Sequence, residues 1–187
     1  MKFQPLFLAG IVATSATLNL SAMPTLSQSD SNQVKFLCNQ VFDPASGDRI
    51  PATVAWVPER QKHILIVGWK STYFPKWNPE KRCQEITRKF QAAYNDGRLD
   101  YLTTGEINSY QVICAVTKQG NQCDGNNQLF TIKRHEDPNF VLSKLLGSLD
   151  GKSNTIIYQS AGSQKYISFN EILQKAPIVP EKSISFK

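Results

Sequence analysis

The stretch NPEKRCQEITRKFQAAYNDG, residues 78–97, carries the strongest pattern in this 187-residue chain. Asn78 has the short acceptor side chain of an N-cap, Pro79 suits the first helical position, and Glu80 suits the positive end of a helix dipole. Cys83, Ile86, Phe90, Ala93 and Tyr94 recur at spacings of three and four, which gathers them into one apolar stripe. Lys81, Glu85 and Lys89 run down another face at i, i+4, and Gly97 is a natural C′ terminator. The spacing predicts a helix over 79–96, and a helix with one apolar stripe must lay it on another layer.

That layer is read on both sides of the helix. Upstream, VKFLCNQVF alternates, DPASGDR supplies turn chemistry, ATVAWV makes a second strand and HILIVGW a third. Their short spacing predicts an antiparallel meander. Downstream, RLDYLTTGEINSYQVICAV reads as two strands around GEINS, and QLFTIKR as another. DPNFVLSKLLGSL is a second helix, with Phe140, Val141, Leu145 and Leu149 on a face. NTIIYQS is a last strand, and ISFNEILQK a short helix begun near Ser168 or Asn170. The order β-β-β-α-β-β-β-α-β-α predicts an α+β fold: one mainly antiparallel sheet of six to seven strands, with two to three helices on one face. One domain over 34–175 follows, with 176–187, interrupted by two prolines, as a loose tail. No internal repeat is visible.

The beginning of the chain points to export. Lys2 gives a short positive start, Leu6 to Leu20 is apolar or small without charge, and Ala16, Ser21 and Ala22 offer cleavage points. Residues 1–22 therefore read as a secretory signal peptide, with an uncleaved anchor as the alternative, and 23–33 as a flexible lead-in. The formal net charge is +6, of which the leader contributes only Lys2. That balance favours anionic neighbours such as lipid headgroups or acidic polysaccharide, and export disfavours nucleic acid.

All four cysteines, Cys38, Cys83, Cys114 and Cys123, lie beyond the leader. An even count in an oxidising compartment reads as two disulfides with three possible pairings; zinc is the rival, but no C-x-x-C occurs and His63 and His135 are isolated. If the helix packs on the sheet, Cys83 on its stripe faces Cys38 on the first strand, which leaves Cys114 with Cys123. One tension stands against the second pair. A tight turn at Gly120–Asn121 would set Cys123 opposite Lys118, so either the loop is irregular or the pairing differs.

Motifs for catalysis are absent. There is no G-x-S-x-G, and GSLDG at 147–151 has its serine one position early. DGKS at 150–153 ends like a phosphate loop but lacks the leading glycine. Asp124 and Asn126 in CDGNN resemble a calcium loop without its closing glutamate, and turn chemistry explains them. Nothing singles out a carboxylate pair, a metal or a cofactor. The aromatic and basic stretch GWKSTYFPKWNPEKRC remains. Its rings either seal the corner between strand and helix, with Trp77 folding back on the first turn, or form a platform of Trp69, Lys70, Tyr73, Lys76 and Trp77. Stacking plus positive charge would suit an anionic polymer.

TVAWVPER, HILIVGWKSTYFPKWNPEKRCQEITRKFQAAYNDGRLDYLTTG and VICAV together resemble the circadian oscillating polypeptide family of cyanobacteria. The resemblance is dense from Thr53 to Val116, with the tryptophans, Cys83 and Cys114, and looser from Cys123 to Lys175. It implies a protein of the cell envelope, exported or membrane-associated, whose abundance in some members follows the daily clock. It brings no catalytic residues with it. The resulting expectation is a secreted, disulfide-stabilised binding module without catalysis, whose partner is an anionic envelope polymer, the membrane surface or an envelope protein. A hydrolase acting on envelope polymers and a scaffold at the membrane surface are the alternatives.

Overall fold

Asn78 caps the helix through its side chain: Oδ1 accepts the backbone N–H of Lys81 at 2.8 Å, and helix α1 runs Pro79–Asn95. In this computed structural model, which describes residues 32–150 and 164–185, α1 buries Cys83, Ile86, Phe90 and Ala93 as the spacing requires. Thr87 joins them, because its hydroxyl lies 2.9 Å from that of Thr53, whose oxygen also accepts the indole N–H of Trp69 at 3.0 Å. A buried hydroxyl needs such partners. Past the end, Gly97 takes φ +65° and the N–H of Arg98 reaches back to the carbonyl of Ala93. Glycine enters that left-handed position without a Cβ clash.

Strands β1 (Lys35–Asp43), β2 (Asp48–Val57) and β3 (Lys62–Gly68) form the upstream meander. Strands β4 (Tyr101–Ile107), β5 (Tyr110–Val116) and β6 (Gln128–Thr131) form a second one. Asn108 and Ser109, both at positive φ, make the two-residue turn between β4 and β5, whose twist suits a hairpin. Helix α2 (Pro138–Asp150), β7 (Tyr166–Ser168), α3 (Phe169–Lys175) and β8 (Ile184–Ser185) complete the described chain. Ser168 caps α3.

The α+β class and the antiparallel pairing are as expected, but the single sheet is not. Eight strands among the described residues divide into two sheets, ordered β3-β2-β1-β8 and β6-β5-β4-β7. The corner and the whole of α1 separate β3 from β4, so no hairpin joins them and β4 starts afresh. The two sheets follow one plan. Each is a three-strand meander followed by a helix, and each later gains a short strand antiparallel to its first. The sequence hides this repetition because alternation and a helical stripe can be met by unrelated residues.

Both sheets and all three helices share one core. Phe36 of β1 stacks on Phe90 of α1 at 5.6 Å between ring centres, and Phe169 of α3 lies 5.9 Å from the first and 6.0 Å from the second. Ala55 and Ile64 from the first sheet meet Leu102, Ile113 and Phe130 from the second. In α2 Leu142 is buried in this core and Val141 and Leu145 pack against it, while Phe140 points outward. The predicted strand at 154–160, the leader at 1–22 and the lead-in through residue 31 lie outside the described residues.

The segment after Lys175, expected as a loose tail, is packed over residues 176–185. Val179 and Ile184 bury against Val41, Ala52 and Val54 on the far face of the first sheet. The N–H of Val179 donates to the carbonyl of His63 at 2.8 Å. Arg49 holds the carbonyls of Lys182 and Ser183, and Arg60 those of Leu173 and Ala176. The physical reason is the valine-rich far face itself, which would otherwise stand in water.

Cys38 and Cys83 are bridged with Cα atoms 5.6 Å apart, and Cys114 and Cys123 with Cα atoms 5.7 Å apart. The loop is irregular, as the second pair demands. Cys123 lies outside the β6 ladder and folds over the neighbouring strand, so that a Cβ placed on Gly105 of β4 would stand 2.4 Å from Cys123 Cβ and 2.6 Å from its Sγ. Asp124 Oδ1 accepts the N–H groups of Asn126 and Asn127 and shapes the return, which is the turn role expected of CDGNN.

Candidate functional site

The corner between β3 and α1 divides the sequence-predicted residues into two groups. Trp69 is 2% exposed, held by Thr53 beneath and edge-on to Phe130 at 5.5 Å. It is core, and it leaves the candidate surface. Tyr73 and Trp77 are 48% and 44% exposed, so neither ring is sealed away and Trp77 does not fill the corner. Lys76 is exposed, while Lys70 is engaged with Asp43 of β1 at 2.5 Å.

That ion pair has a measurable consequence. Lys70, then Ser46, holds the Asp43 carboxylate down at about 2, against an ordinary value of 3.8. A carboxylate whose folded value is depressed stabilises the fold above its unfolded value, and that stabilisation is lost as the pH falls through the folded one. Carbon-detected titration should therefore find Asp43 ionised down to about pH 2. In Lys70→Met its midpoint should move up toward the ordinary carboxylate range. An unchanged midpoint in that variant would remove Lys70 as the cause.

Arg82, one residue before the bridged Cys83, organises the site. Its guanidinium lies 4.8 Å from the ring centre of Trp69 and 5.1 Å from that of Phe74, and it donates one hydrogen bond, to the carbonyl of Ser71 at 3.2 Å. No carboxylate lies within ion-pairing distance of it among the described residues. Burial pulls its pKa below the ordinary arginine value, with Glu136 opposing, yet a guanidinium keeps its charge in proteins. A cation held between two rings, with most of its five donors unspent, retains the hydrogen-bonding capacity that a carboxylate or phosphate oxygen can use.

Arg82 opens onto a groove of about 420 Å³ between the first turns of α1 and strand β6, the outer strand of the second sheet. Trp77 and Phe74 form one wall, Tyr110 stands across from them, and Lys89 lies along the helix side. Lys81 covers the Trp77 ring at 4.6 Å and Arg134 covers Tyr110 at 5.2 Å. Glu85, the only carboxylate lining the groove among the described residues, is paired with Arg88. Among the described residues the lining thus holds four rings, Phe74, Trp77, Tyr110 and Phe130, and two cations, Arg82 and Lys89.

Of the residues that the sequence singled out, only Trp77 lines the groove, and Tyr73 and Lys76 stand exposed beside it; Arg82, Lys89, Tyr110 and Arg134 were not singled out. Arg82 carried a readable signal, since it sits on the first turn beside the aromatic run. Tyr110 and Arg134 carried none, because the hairpin register and the second sheet bring them in from afar. His63, isolated in the sequence, lies in β3 against Trp56, with ring centres 5.0 Å apart. Among the described residues no group of His, Cys, Asp or Glu could hold a metal ion, and no helix is long and apolar enough to cross a membrane.

A family model described as Circadian oscillating protein COP23 matches residues 35–174. The chain belongs to the COP23 family. No curated protein and no solved structure matches it. The COP23 match begins at the first residue of β1 and stops one residue short of the end of α3. It therefore contains both meanders, both bridges and every residue of the groove. The packed segment 176–185 falls outside it.

Proposed function

We propose that this COP23-family chain is an exported, non-catalytic binding module that holds an anionic polymer of the cell envelope in the groove between α1 and β6. Arg82 is the observation that carries this reading: a partly buried cation with no carboxylate partner among the described residues, seated between rings at the groove wall. Trp77 and Tyr110 line the groove with ring surface on which flat groups can stack, Lys89 lines it with a second positive charge, and Lys81 and Arg134 lie over the two rings. Binding without turnover fits the lining. Its one carboxylate among the described residues, Glu85, is already paired with Arg88, so no free carboxylate among them faces the occupant. Two disulfides fit an oxidising compartment, and the charged-then-apolar opening of the sequence fits export to it.

Affinity electrophoresis in gels containing polygalacturonate, with neutral dextran as control, tests this. Retardation by the polyanion alone, fading with added salt, is the expected result. Trp77→Ala and Arg82→Gln should each weaken it about tenfold, a loss of about 1.4 kcal/mol. Trp77 is nearly half exposed, so its removal should cost the fold about 1 kcal/mol rather than the roughly 3 kcal/mol of a buried tryptophan. Equal mobility in both gels, or retardation untouched by either substitution, would overturn the proposal.

A further inference from the structure

At the other end of α1 the chain builds a second, larger concavity. A cleft of about 750 Å³ opens where the β2–β3 turn, the start of β4 and helix α3 meet. Arg82 and Tyr94 stand twelve positions apart on α1, so the two sites are separated by about 18 Å of helix. The volume lies within the ordinary span of small-molecule sites.

We propose that this cleft binds a short neutral oligosaccharide. Its floor is apolar, with Val57, Leu99 and Leu173, and its rim carries Tyr94, Tyr101, Glu59 and Asp100. The carboxylates of Glu59 and Asp100 and the hydroxyls of Tyr94 and Tyr101 have no hydrogen-bond or ion-pair partner among the described residues. Four polar groups thus converge unspent on a concave apolar surface. A pyranose presents the matching chemistry: an apolar C–H face for a tyrosine ring, and hydroxyls that donate to carboxylate oxygens.

The charge of the cleft sets it apart from the groove. Two carboxylates face one cation, Arg60, whose Nη1 is already shared between the carbonyls of Leu173 and Ala176 at 3.0 Å each. An acidic rim repels a polyanion, and the formal net charge of +6 on the whole chain repels a polycation. A neutral ligand is penalised by neither. Arg60 has a further part, since by tying down the end of α3 it fixes the wall on which Leu173 sits.

Titration calorimetry and saturation-transfer NMR with cellobiose, chitobiose and maltose test the site directly. At least one disaccharide should bind saturably. Glu59→Ala combined with Asp100→Ala should weaken that binding about tenfold or more without moving the melting temperature, because both side chains are exposed. Trp77→Ala, at the far groove, should leave it unchanged. The proposal is overturned if no disaccharide binds, if binding survives the double replacement, or if it disappears with Trp77.

Discussion

Removing the Cys38–Cys83 bridge, by Cys38→Ala with Cys83→Ala, is expected to lower the unfolding free energy by about 4 kcal/mol. The bridge joins residues 45 positions apart, so its loss frees a long loop of the unfolded chain. It also joins two surfaces whose contact defines the first half of the fold, β1 and the buried face of α1. For a chain of this length the melting temperature should fall by on the order of 10 °C. Chemical denaturation of the double variant beside the parent measures it. A loss below about 1 kcal/mol would mean that the Phe36–Phe90–Phe169 packing alone holds the helix down and that the bridge is incidental.

Gly105→Ala is expected to be nearly as costly, through a different cause. The added methyl would enter the space occupied by Cys123 Cβ and Sγ, at 2.4 and 2.6 Å. Neither neighbour yields easily: Gly105 is paired with Val112 in the ladder, and Cys123 is fastened to the fully buried Cys114. Either the strand shifts or the bridge fails to close, and the cost is about 3 kcal/mol by either route. A thermodynamic cycle separates this from a general intolerance of side chains in β4. In a Cys114→Ala, Cys123→Ala background the same Gly105→Ala change should cost less than about 1 kcal/mol, because the obstructing sulfur is gone and residue 123, no longer tied to β5, is free to carry its Cβ clear. Equal costs in both backgrounds would exclude the sulfur as the obstacle.

The parts of the fold legible in the sequence were those fixed by local chemistry. Asn78, Pro79 and Gly97 bounded α1, its three-and-four spacing named the buried face, and Ser168 was one of two starts offered for α3, the one that caps it. The Cys38–Cys83 pairing followed from that face. Division into two sheets was not legible, because strand periodicity reports which side of a strand is buried and says nothing about which strand lies beside it. The packed segment 176–185 was missed for a similar reason. Its two prolines argue against regular structure, and only the uncovered valines of the first sheet explain why it docks. At the groove, the sequence supplied one exposed ring of one wall, Trp77. The opposite wall needed the hairpin turn at Asn108 and Ser109 to carry Tyr110 across. Trp69 and Trp77 show the limit most plainly, since eight positions apart in one aromatic run they end in opposite surroundings, one sealed and one wet.

The placement of the two sulfur bridges has a mechanical corollary. Cys38–Cys83 lies wholly within the first meander-and-helix unit, and Cys114–Cys123 wholly within the second. No covalent tie other than the backbone spans the seam where Phe36 meets Phe169 and Trp69 meets Phe130. Under a stretching load the seam can therefore part with both sulfur bridges intact.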